Sequence, residues 1–138
     1  HAYQVLANHG VSVPVTFLKH QREPDGTRVI SAKVADNVMQ MLQTVVTGDT
    51  GTRAKVPGYL VAGKTGTAYI AGPGGYDKHK FMSSFVGMAP ASDPKFVIAV
   101  VIRDPQGQHF GSLVAAPVFA KVMGSALRLW NVPPDNLK

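Results

Sequence analysis

Gly63-Lys64-Thr65-Gly66-Thr67 is the stretch on which the reading of this chain turns. Read backwards to Gly58, it completes Gly58-x-x-x-x-Gly63-Lys64-Thr65, the spacing of a phosphate-cradling loop. Read forwards, Lys64-Thr65-Gly66-Thr67 sets an ammonium and two hydroxyls around a glycine, as suits an anion lying along a strand. The two readings demand opposite local structures. A phosphate loop needs a strand before Gly58, a compact turn over 58–63 and a helix opening at Lys64. Tyr59-Leu60-Val61-Ala62 instead favours extended backbone, and Gly66, Thr67, Tyr69 and Ile70 are poor helix formers. Gly72-Pro73-Gly74-Gly75 would break any helix begun at Lys64. The apolar run over 96–102 followed by Arg103-Asp104 imitates the acidic strand that accompanies such loops, but it does not repair the loop itself.

A strand over 59–69 meets no such conflict. At the edge of a cleft, Gly66 lets a ligand approach the backbone where any side chain would block it. Thr65 and Thr67 offer hydroxyls and Lys64 a fixed cation, a set suited to a carboxylate. An ammonium about 4 Å from a carboxylate gains roughly 4 kcal/mol at an effective dielectric near 20. The competing reading is a solvated lysine and threonines on an ordinary edge strand.

Working outward, residues 1–9 resemble the last turns of a helix stopped by Gly10. Residues 11–19 are β-prone, Glu23-Pro24-Asp25-Gly26 is a turn, and Arg28-Val29-Ile30 suits a short returning strand. Ser31 is a natural N-cap for a helix to about Thr47, with Val34, Val38, Met41, Leu42, Val45 and Val46 at helical period. Beyond the breaker at 71–75, residues 81–88 and 96–102 read as two further strands joined by a turn at 90–94. A final helix begins near Ala115 with Pro117 in its first turn, and Pro133-Pro134 closes it. Its apolar face comprises Val118, Phe119, Val122, Met123, Ala126, Leu127 and Trp130. The last three strands are too closely linked for parallel crossovers, so the expected fold class is α+β, with helices packed on an antiparallel sheet.

The length of 138 residues accommodates one core. The net charge of +6 is scattered from Lys19 to Lys138, and the densest cluster is only Lys78-His79-Lys80. No basic array interleaved with aromatics appears, so no nucleic-acid partner is expected. The five histidines show no metal-ligand spacing and cysteine is absent, so no metal and no cofactor is expected.

Val61-Ala62-Gly63-Lys64-Thr65-Gly66-Thr67-Ala68, followed by Gly87-Met88-Ala89-Pro90-Ala91-Ser92-Asp93-Pro94-Lys95-Phe96, resembles the C-terminal third of a class B penicillin-binding protein. Lys64-Thr65-Gly66 is then the Lys-Thr-Gly element of penicillin-recognising serine enzymes. The tail from Ala116-Pro117-Val118-Phe119 to Pro133-Pro134-Asp135 is similar to the division-specific D,D-transpeptidases, and residues 2–11 match the helix ahead of the motif strand. The resemblance thus covers nearly the whole chain, in order.

It implies a β-lactamase/transpeptidase-like fold and an enzyme that cross-links peptidoglycan stem peptides in septal wall synthesis. Lys64 would position the substrate carboxylate, and the hydroxyls of Thr65 and Thr67 would contact it. Gly66 would leave the strand open to the ligand, and the Thr67 backbone N–H would be an oxyanion-hole donor. Tyr76, His109 and Phe110 would match aromatic-wall positions, an aromatic being the commoner choice at 109. Partners implied are stem peptides, β-lactams, the N-terminal remainder of the protein and division-complex proteins. The location implied is the periplasmic face of the inner membrane, with the anchor in an N-terminal segment absent from these residues.

The family's nucleophile is a serine one helical turn before a lysine. Ser92-Asp93-Pro94-Lys95 has that spacing, but Pro90 and Pro94 make it a turn, where a separation of three does not align side chains. No Ser-x-Asn occurs in the sequence. The resemblance places both elements upstream, so this chain alone is expected to be inactive. The alternatives are a fragment that recognises β-lactam or D-Ala-D-Ala without covalent chemistry, and a nucleotide-binding phosphate loop.

Overall fold

The computed structural model describes residues 1–19 and 24–137. The chain order is α1 (Ala2–Ala7), β1 (Val11–Ser12), β2 (Thr27–Arg28), α2 (Ala32–Gly48), a 3-10 turn (Thr52–Ala54), β3 (Ala62–Gly72), β4 (Gly75–Ala89), β5 (Phe96–Arg103), α3 (Gly111–Val114) and α4 (Ala116–Leu129). Glu23 of the expected turn lies outside the described residues. The β-prone segment after Gly10 contributes only two residues, which pair antiparallel with Thr27–Arg28. Gly10 has φ +88, and a Cβ there would lie 2.3 Å from the Ile30 carbonyl oxygen, so the glycine stop also allows β2 to close on α1.

β3, β4 and β5 form an antiparallel meander in the order β3-β4-β5. This is the α+β class expected, with β3 shifted three residues along the chain and β4 starting at Gly75 rather than at 81. The motif strand begins at Ala62 rather than Tyr59, which makes only an isolated bridge with Val56. At the other end, Gly72 pairs with Gly75 across Pro73-Gly74. The glycine-rich breaker is therefore a tight turn, and Gly74 and Gly75 take the positive φ that it demands.

Alternation along the strands divides the sheet into two faces. Phe85 and Ala89 of β4 are buried against α4, with Phe96, Ile98, Val100 and Ile102 of β5 packed on the same cluster. Phe119 of α4 fits its ring over Gly87, where a Cβ would approach Phe119 Cζ to 2.9 Å. On the opposite face, Met39 of α2 joins Ala62, Met88 and Ala91, with Tyr3 and Leu6 of α1 against them. That cover thins over β5, which α1 touches but where Val97 and Val101 stay exposed.

Ser31 caps α2 as expected, its Oγ accepting the Val34 N–H. The buried stripe of α2 is Ala35, Met39 and Val46, so the expected face was turned too far. Val34 and Met41 are 49% and 66% exposed. Ala35 is fully buried, and Met39 carries the contact with Ala62 of β3 and Met88 of β4. In α4 the buried line is Ala116, Phe119, Met123 and Leu127, whereas Val118, Val122 and Trp130 are exposed. Sheet contact occupies one side of α4, and its apolar surface is wider than that contact.

The C-terminal tail folds back over the approach to β3. Tyr59 Oη donates to the Val132 carbonyl at 2.6 Å. The Asp135 carboxylate accepts from Leu60 N at 2.7 Å, and from Ser92 N and Oγ at 3.2 and 2.7 Å.

Candidate functional site

Lys64 is the third residue of β3, on an extended strand with no helix opening behind it. The next helix in the chain begins at Gly111, so the backbone N–H array of a phosphate loop is absent from this motif and that reading falls. β3 is an edge strand: β4 pairs with one side, and no strand pairs with the other among the described residues.

Register assigns the motif side chains to faces. Lys64 and Gly66 lie opposite Val86 and Ser84, while Thr65 and Thr67 lie opposite Phe85 and Ser83. Lys64 is exposed, and among the described residues its Nζ donates only to the Thr65 carbonyl and Thr65 Oγ1, both at 3.3 Å. Among the described residues no carboxylate lies within ion-pair distance of it. Thr65 Oγ1 donates to Thr50 Oγ1 at 3.4 Å, which brings the loop after α2 to the motif. The bare face of Gly66 is already used from within, since a Cβ there would lie 2.5 Å from Ser84 Oγ.

The segment after β5 closes over the same strand pair. Ser83, fully buried on β4, donates a short hydrogen bond to the His109 carbonyl. Two residues on, Gly111 N donates to Thr67 Oγ1 at 3.1 Å. His109 stacks on Phe81 with centroids 3.9 Å apart at 13°, and Phe110 lies 4.5 Å from His109. Tyr69 extends the array, 5.1 Å from Phe81. An aromatic ridge thus borders the Thr67 end of the motif, midway along β3.

The structure therefore gathers Lys64, Thr65, Gly66, Thr67, His109 and Phe110 along one edge. Tyr76 is exposed beside the hairpin turn, paired with Ala71, about 13 Å of strand beyond Thr67. Thr50, Ser83, Ser84 and Gly111 were missed by sequence reasoning. Strand register places Ser83 opposite Thr67, and no local pattern in the sequence signals that contact.

Residues 1–124 match the penicillin binding protein transpeptidase domain. The chain is 46% identical over 139 residues to the probable peptidoglycan D,D-transpeptidase PbpC of Pseudomonas aeruginosa, covering 99% of this chain and 25% of that protein. The chain belongs to the penicillin-binding protein transpeptidase family. The match to the peptidoglycan D,D-transpeptidase FtsI of Escherichia coli is 39% over 137 residues, covering 98% of this chain and 23% of the relative. Among solved structures, the apo transpeptidase domain of Burkholderia pseudomallei penicillin-binding protein 3 matches with a TM-score of 0.89 and 45% identity. That likeness covers 98% of this chain and 42% of the other. These relatives assign the chain to a class B transpeptidase domain. It spans about a quarter of the length of these two curated relatives.

Within this transpeptidase-family chain, Ser92-Asp93-Pro94-Lys95 is the loop between β4 and β5. Ser92 Oγ is committed to Asp135, and Lys95 Nζ pairs with Asp93. The serine and lysine are thus engaged apart. Concavities form away from the motif: one of about 550 Å³ between residues 55–59 and α4, another of about 620 Å³ between α1 and the uncovered side of β5. The motif itself lies on an open sheet edge. Among the described residues no group of three or more His, Asp or Glu side chains is arranged to hold a metal ion, and no helix is long and apolar enough to cross a membrane.

Proposed function

We propose that these residues are the C-terminal portion of a peptidoglycan D,D-transpeptidase and supply the carboxylate-binding wall of its active site. The observation that carries this reading is Lys64-Thr65-Gly66-Thr67 on an open sheet edge, with an exposed ammonium lacking a carboxylate partner among the described residues. Lys64 and the Thr65 and Thr67 hydroxyls hold the substrate carboxylate, and the Thr67 N–H donates to the oxyanion. His109 and Phe110 flank the ligand, and Tyr76 meets its far end. The attacking serine comes from residues outside these 138. Its Oγ adds to the penultimate D-Ala carbonyl, the terminal D-Ala leaves as the amine, and a neighbouring stem's amine then takes the acyl group. A β-lactam opens on the same serine and remains attached.

The uncovered face of β5 supports a larger protein around this chain. Val97 and Val101 stand exposed on β5, an edge strand whose outer side pairs with no strand among the described residues, a surface that normally is covered. By analogy with the FtsI-type relatives, we assign the protein to septal wall synthesis at the periplasmic face of the inner membrane. Its partners there are stem peptides, β-lactams and division proteins. Incubation of this chain alone with a fluorescent penicillin is expected to give no stable covalent adduct, whereas the longer protein gives one at 1:1. An adduct on the isolated chain, or none on the longer protein, contradicts the proposal.

A further inference from the structure

We propose that Ser83 and Gly111 are positioning residues that aim the Thr67 hydroxyl proton at the open edge of β3, making that edge selective for a carboxylate oxygen. The inference rests on the reading that Thr67 meets the substrate carboxylate. A threonine hydroxyl carries one proton and accepts on its lone pairs, so what it offers a ligand depends on which other groups occupy it. Gly111 N donates to Thr67 Oγ1 at 3.1 Å, which fills an accepting position and leaves the hydroxyl proton free to turn away from α3. A donor turned to the edge matches an anionic oxygen, whereas a lone pair turned there would repel it.

The backbone holds this orientation rather than the threonine itself. A Cβ on Gly111 would lie 2.3 Å from the Ser84 carbonyl oxygen and 2.6 Å from that of Gly66, so only glycine seats this amide against the β3–β4 ladder. Ser83 is opposite Thr67 in the register and fully buried, which removes it from any ligand. Its hydroxyl instead holds the His109 carbonyl, two residues before Gly111. The segment after β5 is thereby fastened to β4 at 109 and to β3 at 111. Releasing the first fastening loosens the amide that orients Thr67.

The test uses the longer protein and compares acylation rate constants for a penicillin with a free carboxylate and for its methyl ester. In the unaltered protein the free acid reacts faster. Ser83→Ala is expected to lower the acid-to-ester rate ratio about tenfold, the effect of losing one hydrogen bond to a charged group. Ser83→Cys, which keeps the buried volume and weakens the donor, should lower the ratio in the same direction if Ser83→Ala fails to fold. Equal slowing of acid and ester, or an unchanged ratio, overturns the positioning role. Equal rates for acid and ester in the unaltered protein overturn the carboxylate reading beneath it.

Discussion

Phe119→Ala is expected to lower the free energy of unfolding by about 3–5 kcal/mol, a large share of the roughly 5–15 kcal/mol available to a domain. Phe119 is fully buried, its ring centroid 4.7 Å from that of Phe85. It fills the space over Gly87, and the wall of the resulting cavity would be β4 backbone tied into pairings on both sides. Such a wall collapses poorly, which places the loss at the costly end of large-to-small changes. Val118→Ala, at a half-exposed position on the same helix, should cost no more than about 0.5 kcal/mol. Urea unfolding of the two variants checks both figures. A Phe119→Ala loss below about 1 kcal/mol would mean that α4 is not the anchor of the sheet. The site depends on that anchor, because α4 follows directly from the segment that carries Gly111.

Lys64→Ala should slow acylation of the longer protein by a carboxylate-bearing penicillin about tenfold to a hundredfold. A hydrogen bond to a charged group contributes about 1.5–3 kcal/mol, and each 1.36 kcal/mol is tenfold in rate. The variant should fold normally, since Lys64 is exposed and among the described residues donates only to Thr65 at 3.3 Å. Lys64→Arg should recover part of the rate, its planar guanidinium matching a carboxylate without reproducing the compact ammonium. Loss below threefold in Lys64→Ala, measured as the second-order acylation constant, would remove Lys64 from the site.

The meander was legible because its determinants are local. Short β-branched runs separated by turns leave no room for crossovers, and helix propensity argued against a phosphate loop at Lys64. The faces of the helices were less legible. Val34, Met41, Val118 and Val122 fit the helical period but point away from the sheet, because period fixes spacing and not which neighbour arrives. Ala35 and Ala116 are fully buried instead, small residues that hydropathy underweights. The strand over 81–88 proved to begin at Gly75, since two glycines able to adopt positive φ turn the chain within a single hairpin. Lys64 to Thr67 stood out as a contiguous motif. Ser83 and Gly111 could not, because their relation to Thr67 exists only through register and a fold-back 44 residues later in the chain.

The proposed division of labour gives binding and polarisation to this edge strand and attack to a serine elsewhere. Its most direct test is peptide mapping of the longer protein after labelling with a penicillin to 1:1. The acyl group is predicted on a serine outside these 138 residues, with Ser92 unmodified. An acyl group on Ser92, or on any serine within this chain, would contradict it.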